Sequence, residues 1–230
     1  FQIIEVHPIL KVHQACKSFQ QGNHKVKVLE RLDLEVNKGE KVAILGPSGC
    51  GKSTLLSLLA GLDNPGSGTV KIDGTDLANI NEDQLSQTRS EKLGIVFQQY
   101  HLMRNLTAVE NVGLPLEILG TADFAVRART ALKEVGLDHR ATHFPSEMSG
   151  GECQRVAIAR ALVTRPSLIL ADEPSGNLDQ KTGDEVMDIL FNLCREHTIS
   201  LVLVTHNREL ADRCDRSLLL NEGALEDLAR

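Results

Sequence analysis

Residues Gly46-Pro47-Ser48-Gly49-Cys50-Gly51-Lys52-Ser53 have the spacing of a phosphate-binding loop, and no other run constrains the fold as much. Before them, residues 41–45 (KVAIL) read as a buried strand. After them, residues 52–60 carry Leu55, Leu56, Leu58 and Leu59 and read as a buried helix that Gly61 stops. A strand feeding a glycine-rich turn and then a helix is the context in which backbone amides and a helix dipole converge on an anion. The glycines let the amides turn inward, Lys52 reaches the β and γ phosphates, and the Ser53 hydroxyl ligates Mg²⁺. Residues Gly46 to Thr54 are therefore the expected nucleotide-contacting stretch. The alternative is a chance glycine-rich turn, which the four fixed positions would produce in roughly one chain of this length in a hundred. The matching flanks make that coincidence rarer still.

The rest of the chain alternates short β-like runs with helical stretches, which argues for an α/β fold with a mostly parallel sheet covered on both faces. Residues 69–73, after the turn cluster Asn64-Pro65-Gly66-Ser67-Gly68, read as an antiparallel strand, and 94–97 as a further strand. From 98 to 160 the β signal fades; residues 124–135 read as a helix ended by Gly136, within an inserted helical subdomain. Strands return at 167–171 and 201–205. Between them Val186, Ile189, Leu190 and Leu193 follow the spacing of an amphipathic helix. The 230 residues are read as one domain: a core with a β subdomain over about 1–97 and 161–230, and the helical insert over 98–160.

Composition excludes several classes. A formal net charge of -6, spread along the chain, offers no basic nucleic-acid surface. The longest apolar stretches, near 168–171 and 201–204, are far shorter than the ~20 residues that span a bilayer. Residues 1–10 include Glu5 and His7 and lack a cationic flank with an apolar run, so they are not expected to be a signal peptide, and the chain is expected to be soluble. Five cysteines (Cys16, Cys50, Cys153, Cys194, Cys214), odd in number and with no CxxC pair, suit reduced thiols in a cytosol better than a disulfide framework or metal site. Cys50, inside the phosphate loop, is either an oxidation-prone thiol or a small filler residue.

Asp172 and Glu173 follow an apolar strand, so they emerge at the carboxyl edge of the sheet, where open α/β folds bind ligands. Beside a phosphate loop, Asp172 would hold Mg²⁺ directly or through water, and Glu173 would polarise an attacking water. Alone, such a pair is more often a helix cap or a solvated turn.

With Met148-Ser149-Gly150-Gly151-Glu152 between these two motifs, the whole chain resembles the nucleotide-binding subunit of ATP-binding cassette (ABC) transporters. The resemblance implies a P-loop NTPase (RecA-like) core with an antiparallel β subdomain and an inserted helical subdomain. It implies ATP and Mg²⁺ as cofactors, and a head-to-tail homodimer holding two ATP molecules. Ser149, Gly150, Gly151 and Glu152 look like the signature motif, of which Ser149 and Gly151 would contact the γ-phosphate of ATP held by a second copy. The turn and the following helix (153–162) would aim amides and a dipole at that anion, while Ser149 doubles as an ordinary N-cap. The family often has Leu, Gln and Gln where this chain has Met148, Glu152 and Cys153, and Glu152 adds negative charge near a phosphate site. Gln98 looks like the Q-loop glutamine, touching Mg²⁺ or water; otherwise it is a loop residue. Residues Ser175 to Asp179 look like the D-loop, in which Asp179 lies at the dimer interface or is a plain N-cap. His206 matches the switch histidine facing a γ-phosphate, the alternative being a surface or core histidine. Phe19 is similar in position to the aromatic that stacks on adenine, or it fills the core.

Segments 106–112, 114–116 and 175–179 look like the branch that includes lipoprotein-releasing and macrolide-exporting ATPases. Residues 207–220 look like a little-characterised bacterial group of that branch. The resemblance implies a separate integral membrane permease, a place on the cytoplasmic face of the inner membrane, and no nucleic-acid partner. Residues 100–105 are either the permease-docking loop or a variable surface loop. A regulator of cell-envelope remodelling on the same fold would share every motif. A soluble cassette acting on ribosomes or DNA would need basic surfaces, and a generic kinase would leave Ser149–Glu152 and His206 without a purpose.

Overall fold

The computed structural model describes residues 8–22 and 24–228. The reading of residues 1–10 as no signal peptide therefore rests mostly on positions outside the described residues. Strands Leu10–Gln21 (β1), His24–Val36 (β2) and Lys41–Leu45 (β3) precede the helix Lys52–Leu59 (α1). Strands Ser67–Ile72 (β4) and Thr75–Asp76 (β5), the helix Glu82–Lys92 (α2) and the strand Leu93–Val96 (β6) follow. Next come helices Ala108–Ile118 (α3), Phe124–Glu134 (α4) and Gly150–Leu162 (α5), then strand Leu168–Asp172 (β7) and helix Gln180–Glu196 (α6). Ser200–Val204 (β8), Arg208–Ala211 (α7), Arg216–Asn221 (β9) and Ala224–Asp227 (β10) complete the order. Contacts group the chain into two compact units, residues 1–86 with 200–230, and residues 87–199.

In the first unit, β1 pairs antiparallel with β2 on one side and β4 on the other, and β4 turns back through Asp73-Gly74 into β5. A second set centres on β3, which pairs in parallel with β8 and with β9. Val42, Ala43, Ile44 and Leu45 are all buried, the continuous apolar run of a strand covered on both faces. The registers Ile44↔Val204 and Ile44↔Leu218 align the carboxyl ends of the three strands. The helix after the phosphate loop buries Leu55, Leu56, Leu58 and Leu59, and Gly61 ends it at φ 62.

In the second unit, β6 and β7 run parallel with Gly94 opposite Ile169 and Val96 opposite Ala171. Helix α5 lies close against β6: a Cβ built on Gly94 would sit 2.3 Å from the Ala161 carbonyl oxygen and 2.4 Å from Ile169 Cδ1. Helix α6 buries Val186, Met187, Leu190, Phe191, Leu193 and Cys194, so the expected stripe is real and Ile189 only borders it. Helices α3, α4 and α5 fill the stretch expected to be helical, and that stretch lies wholly within this unit.

The differences from the sequence reading are local. Strands β6, β7 and β8 are each displaced by one residue from the expected ranges, and β4 begins two residues early. Helix α5 begins at Gly150 rather than 153, because Ser149 caps it directly. The long strands β1 and β2 and the helix α2 had no ranges assigned in advance, and α3 was covered only by the general expectation of a helical stretch over 98–160.

Candidate functional site

Parallel strand ends position the chemistry in both units. In the first, Gly46 and His206 each lie two residues beyond the register pair Ile44↔Val204, so loop and histidine leave the sheet at one edge. Gly49 (φ 80) and Gly51 (φ 105) take backbone conformations that side chains rarely adopt. Gly51 is also pressed by β2, since a Cβ there would lie 2.8 Å from Val28 Cγ1. A Cβ on Gly46 would lie 2.6 Å from Cys50 Sγ and 2.7 Å from the Leu220 carbonyl oxygen. Cys50 thus packs inside the loop. Lys52 Nζ donates to the carbonyl oxygens of Gly46 and Pro47, both at 2.8 Å, which curls the loop around its own cation. Ser53 is exposed at the start of α1 and Thr54 half-buried beside it.

Phe19 stands opposite Val26 across the β1–β2 ladder and is 45% exposed, so it does not fill the core. Lys17 Nζ lies 5.3 Å from its ring centroid. Val26 precedes Val28, whose side chain presses on Gly51, by two positions on β2, and the ladder shifts register at Val28. His206 is exposed; the buried residue before it, Thr205, accepts the Asn207 N–H through Oγ1 at 3.0 Å.

In the second unit, Gln98 and Glu173 each lie two residues past the pair Val96↔Ala171 and so leave neighbouring strands level with each other. Asp172, the last residue of β7, is half-buried. Glu173 has φ 43, a left-handed conformation costing a non-glycine residue on the order of 1–3 kcal/mol. Its carbonyl accepts the Gly176 N–H at 2.9 Å, so a turn follows directly on the strand. Gln98 is clasped by Asn177, whose Nδ2 donates to the Gln98 carbonyl at 3.0 Å and whose Oδ1 accepts from Gln98 Nε2 at 3.2 Å. Within residues 175–179 the sequence reading gives Asn177 no role of its own, and no spacing rule flags it. Asp179 caps α6 by accepting the Thr182 N–H at 3.1 Å; the Thr182 hydroxyl first, and this N–H with it, hold its carboxyl below the ordinary range.

Ser149 Oγ accepts the Glu152 N–H at 3.3 Å, and Glu152 Oε2 accepts the Ser149 N–H at 2.8 Å, a reciprocal capping box. The remaining oxygen of Glu152, Oε1, accepts from Arg140 Nε at 2.9 Å. The Ser149 N–H first, and Arg140 with it, hold the Glu152 carboxyl below the ordinary range against the opposing effect of burial. The cap is therefore fully formed at neutral pH and weakens only as pH falls through that depressed value. Gly151 meets the first turn of α6: a Cβ there would lie 2.4 Å from Thr182 Cγ2. The helix start offers amides that have no partner within the helix, aligned with its dipole. Residues 149–152 are thus tied to Arg140 and α6, whereas Gln98 and Glu173 share a strand edge.

Residues 97–107, after β6, are fastened by the buried side chains of Gln154 and Asn111 and the half-buried Arg160. Gln154 Nε2 donates to the Phe97 carbonyl at 3.2 Å, and Arg160 donates to the Tyr100 and His101 carbonyls at 2.9 and 2.7 Å. Asn111, 0% exposed, donates to the carbonyls of Met103, Leu106 and Thr107 and accepts the Met103 N–H. Beside this stretch lies a groove of about 740 Å³ lined by Tyr100, Leu102, Arg104, Met148 and Cys153.

Residues 29–176 match the family model described as ABC transporter. The lipoprotein-releasing system ATP-binding protein LolD of Legionella pneumophila (strain Paris) is 48% identical over 219 residues, 94% of this chain and 96% of the relative. The uncharacterized ABC transporter ATP-binding protein YbbA of Escherichia coli (strain K12) is 46% identical over 223 residues, 96% and 98% of the two chains. Among solved structures, a dimeric post-hydrolysis state of the ATP-binding cassette MJ0796 bound to ADP and Pi superposes with a TM-score of 0.87 and 39% identity. That match covers 96% of this chain and 99% of the other.

Proposed function

Because this chain belongs to the ABC transporter family and is an ATP-binding, ATP-hydrolysing cassette with the P-loop NTPase fold, we propose that it is the motor subunit of a bacterial transporter and drives a separate membrane permease. The observation that carries this reading is the start of α5, where Ser149 caps a helix whose first amides face away from the helix body. The phosphate loop already supplies one complete anion cradle, so a second cradle on the same chain suits the γ-phosphate of ATP on another copy. Two copies arranged head to tail give two such sites. The dimeric state of the related cassette MJ0796 supports this arrangement.

In the proposed site, amides of residues 46–54 and Lys52 hold the phosphates, and exposed Phe19 stacks on the adenine. Ser53, Asp172 and Gln98 supply hard oxygen donors of the type that Mg²⁺ takes, and the metal neutralises charge on the phosphates when bound. Glu173 accepts a proton from the attacking water, Gln98 orients that water, and His206 donates to the γ-phosphate. Asp179, fixed as the cap of α6, lies at the interface between copies.

Among the described residues no helix is long and apolar enough to cross a membrane. Likeness to the ATP-binding proteins of transport systems supports delivery of the work to a permease at the cytoplasmic face of the inner membrane, with residues 100–105 and the adjoining groove as the docking surface. Likeness to a lipoprotein-releasing ATP-binding protein supports lipoprotein or lipid extraction, export or force transmission as the task. The net charge of -6 supports a protein partner and no nucleic acid.

The test is light scattering on Glu173→Gln with and without Mg-ATP, beside phosphate release by the parent chain. The expected result is an ATP-dependent shift from monomer to dimer and slow release by the parent. A variant that binds ATP yet stays monomeric, alone and with its permease, would refute the head-to-tail site.

A further inference from the structure

We propose that Arg140 is a positioning residue for the signature turn, pairing with Glu152 so that a helix start bearing a carboxylate can still receive a phosphate. The inference rests on the reading above, in which residues 149–151 meet the γ-phosphate of ATP on a second copy.

Glu152 is the third residue of α5 and lies in its first turn. A carboxylate there ordinarily stabilises a helix, because it answers the N-terminal amides and the dipole. The same property works against an arriving anion, since Glu152 competes for those amides and repels the phosphate charge. The geometry removes both objections. One carboxylate oxygen is engaged by the Ser149 N–H at 2.8 Å, outside the set of amides that point along the helix axis. The other is engaged by Arg140 Nε at 2.9 Å.

Arg140 is itself held in place. Its Nη1 lies 3.1 Å from His143 Nε2, and since guanidinium only donates, this ring nitrogen is the acceptor. The side chains of the pair are 34% and 14% exposed, so counter-ions screen the charges less than on an open surface. The cap needs an acceptor at position 152 and not a charge, and glutamine serves as well as glutamate there. Arg140 with Glu152 is thus a neutral pair performing the task that an uncharged residue could perform alone. The prediction is that the two positions depend on each other.

The experiment measures, in the full chain carrying Glu173→Gln, the Mg-ATP concentration for half-maximal dimerisation by light scattering. Arg140→Gln is expected to raise it by at least about tenfold, because it strands a largely shielded carboxylate beside the phosphate. When Glu152→Gln is already present, the same Arg140→Gln change is expected to shift it by less than about twofold. Arg140→Lys, which keeps the charge and loses the fork, should fall between the two. A structural loss would be indifferent to the charge at 152, so an effect of Arg140→Gln that persists in the Glu152→Gln background overturns the inference. Parental behaviour of Arg140→Gln beside Glu152 overturns it as well. If the Glu173→Gln parent binds ATP yet fails to dimerise both alone and with its permease, the fault lies in the reading of residues 149–151, and the inference falls with it.

Discussion

Lys52→Ala alone and Ser149→Glu alone are each expected to release phosphate about 10²- to 10³-fold more slowly than the parent, while an equimolar mixture of the two recovers activity. Lys52 is the hub of its loop, with Nζ 2.8 Å from two of its carbonyl oxygens, and in the proposed site it reaches the β and γ phosphates. Removing such a donor costs a factor of this size where charge develops in the transition state. Ser149→Glu deletes the cap that receives the Glu152 N–H and sets a second carboxylate beside the first. In a head-to-tail pair, one mixed dimer contains a site with both defects and a site with neither. Random pairing then restores up to roughly a quarter of the parental sites. Mixtures no more active than their components would mean that each chain completes its site by itself.

Gly94→Val is expected to lower the stability of the second unit by about 3 kcal/mol or more, a drop of roughly 6–12 °C in Tm. The new side chain would begin 2.3 Å from a backbone carbonyl of α5, and a helix backbone cannot step aside as the end of a flexible side chain can. The cost is steric, which a contrast isolates. Gly74 has φ 77 and open space around its Cβ position, so Gly74→Ala should cost only the conformational strain, on the order of 1 kcal/mol. Thermal melts followed by circular dichroism measure both. Since Gly94 lies two positions before the Val96↔Ala171 pair, the variant should also lose activity faster than it loses structure, because Gln98 and Glu173 depend on that register.

What could be read in advance followed pattern. The buried run Val42–Leu45, the leucines of α1 and the stripe of α6 announce themselves because one environment acts on many neighbouring residues. Where several environments alternate, the signal failed. Strand β1 breaks its two-residue period at three register shifts between Val12 and Ser18, so no alternation marks it. Helix α2 buries only Leu85 and has no apolar stripe to detect. Helix α3 contains Pro115, ordinarily a stop signal.

At the site, the motifs were legible because backbone approach to a phosphate demands particular glycines at particular spacings. The residues that hold the motifs were not. Asn177, Gln154, Arg160 and Arg140 act on groups 12 to 79 positions away, a relation no local pattern encodes. Glu152 is the instructive case. The serine-to-glutamate spacing from Ser149 is a capping signal visible in the sequence, but its charge near a phosphate drew the reading instead.

The stretch from Phe97 to Thr107 is fastened through seven backbone carbonyls and one amide by four polar side chains, with no regular structure of its own. Freezing a loose loop on contact costs about 1–2 kcal/mol per residue, a penalty that falls on the affinity of whatever does the freezing. Here that ordering is completed when the chain folds. A partner docking on this stretch meets a finished surface, so its encounter rate should be set by collision and orientation. Differences between rival partners would then be expressed in how long each one stays.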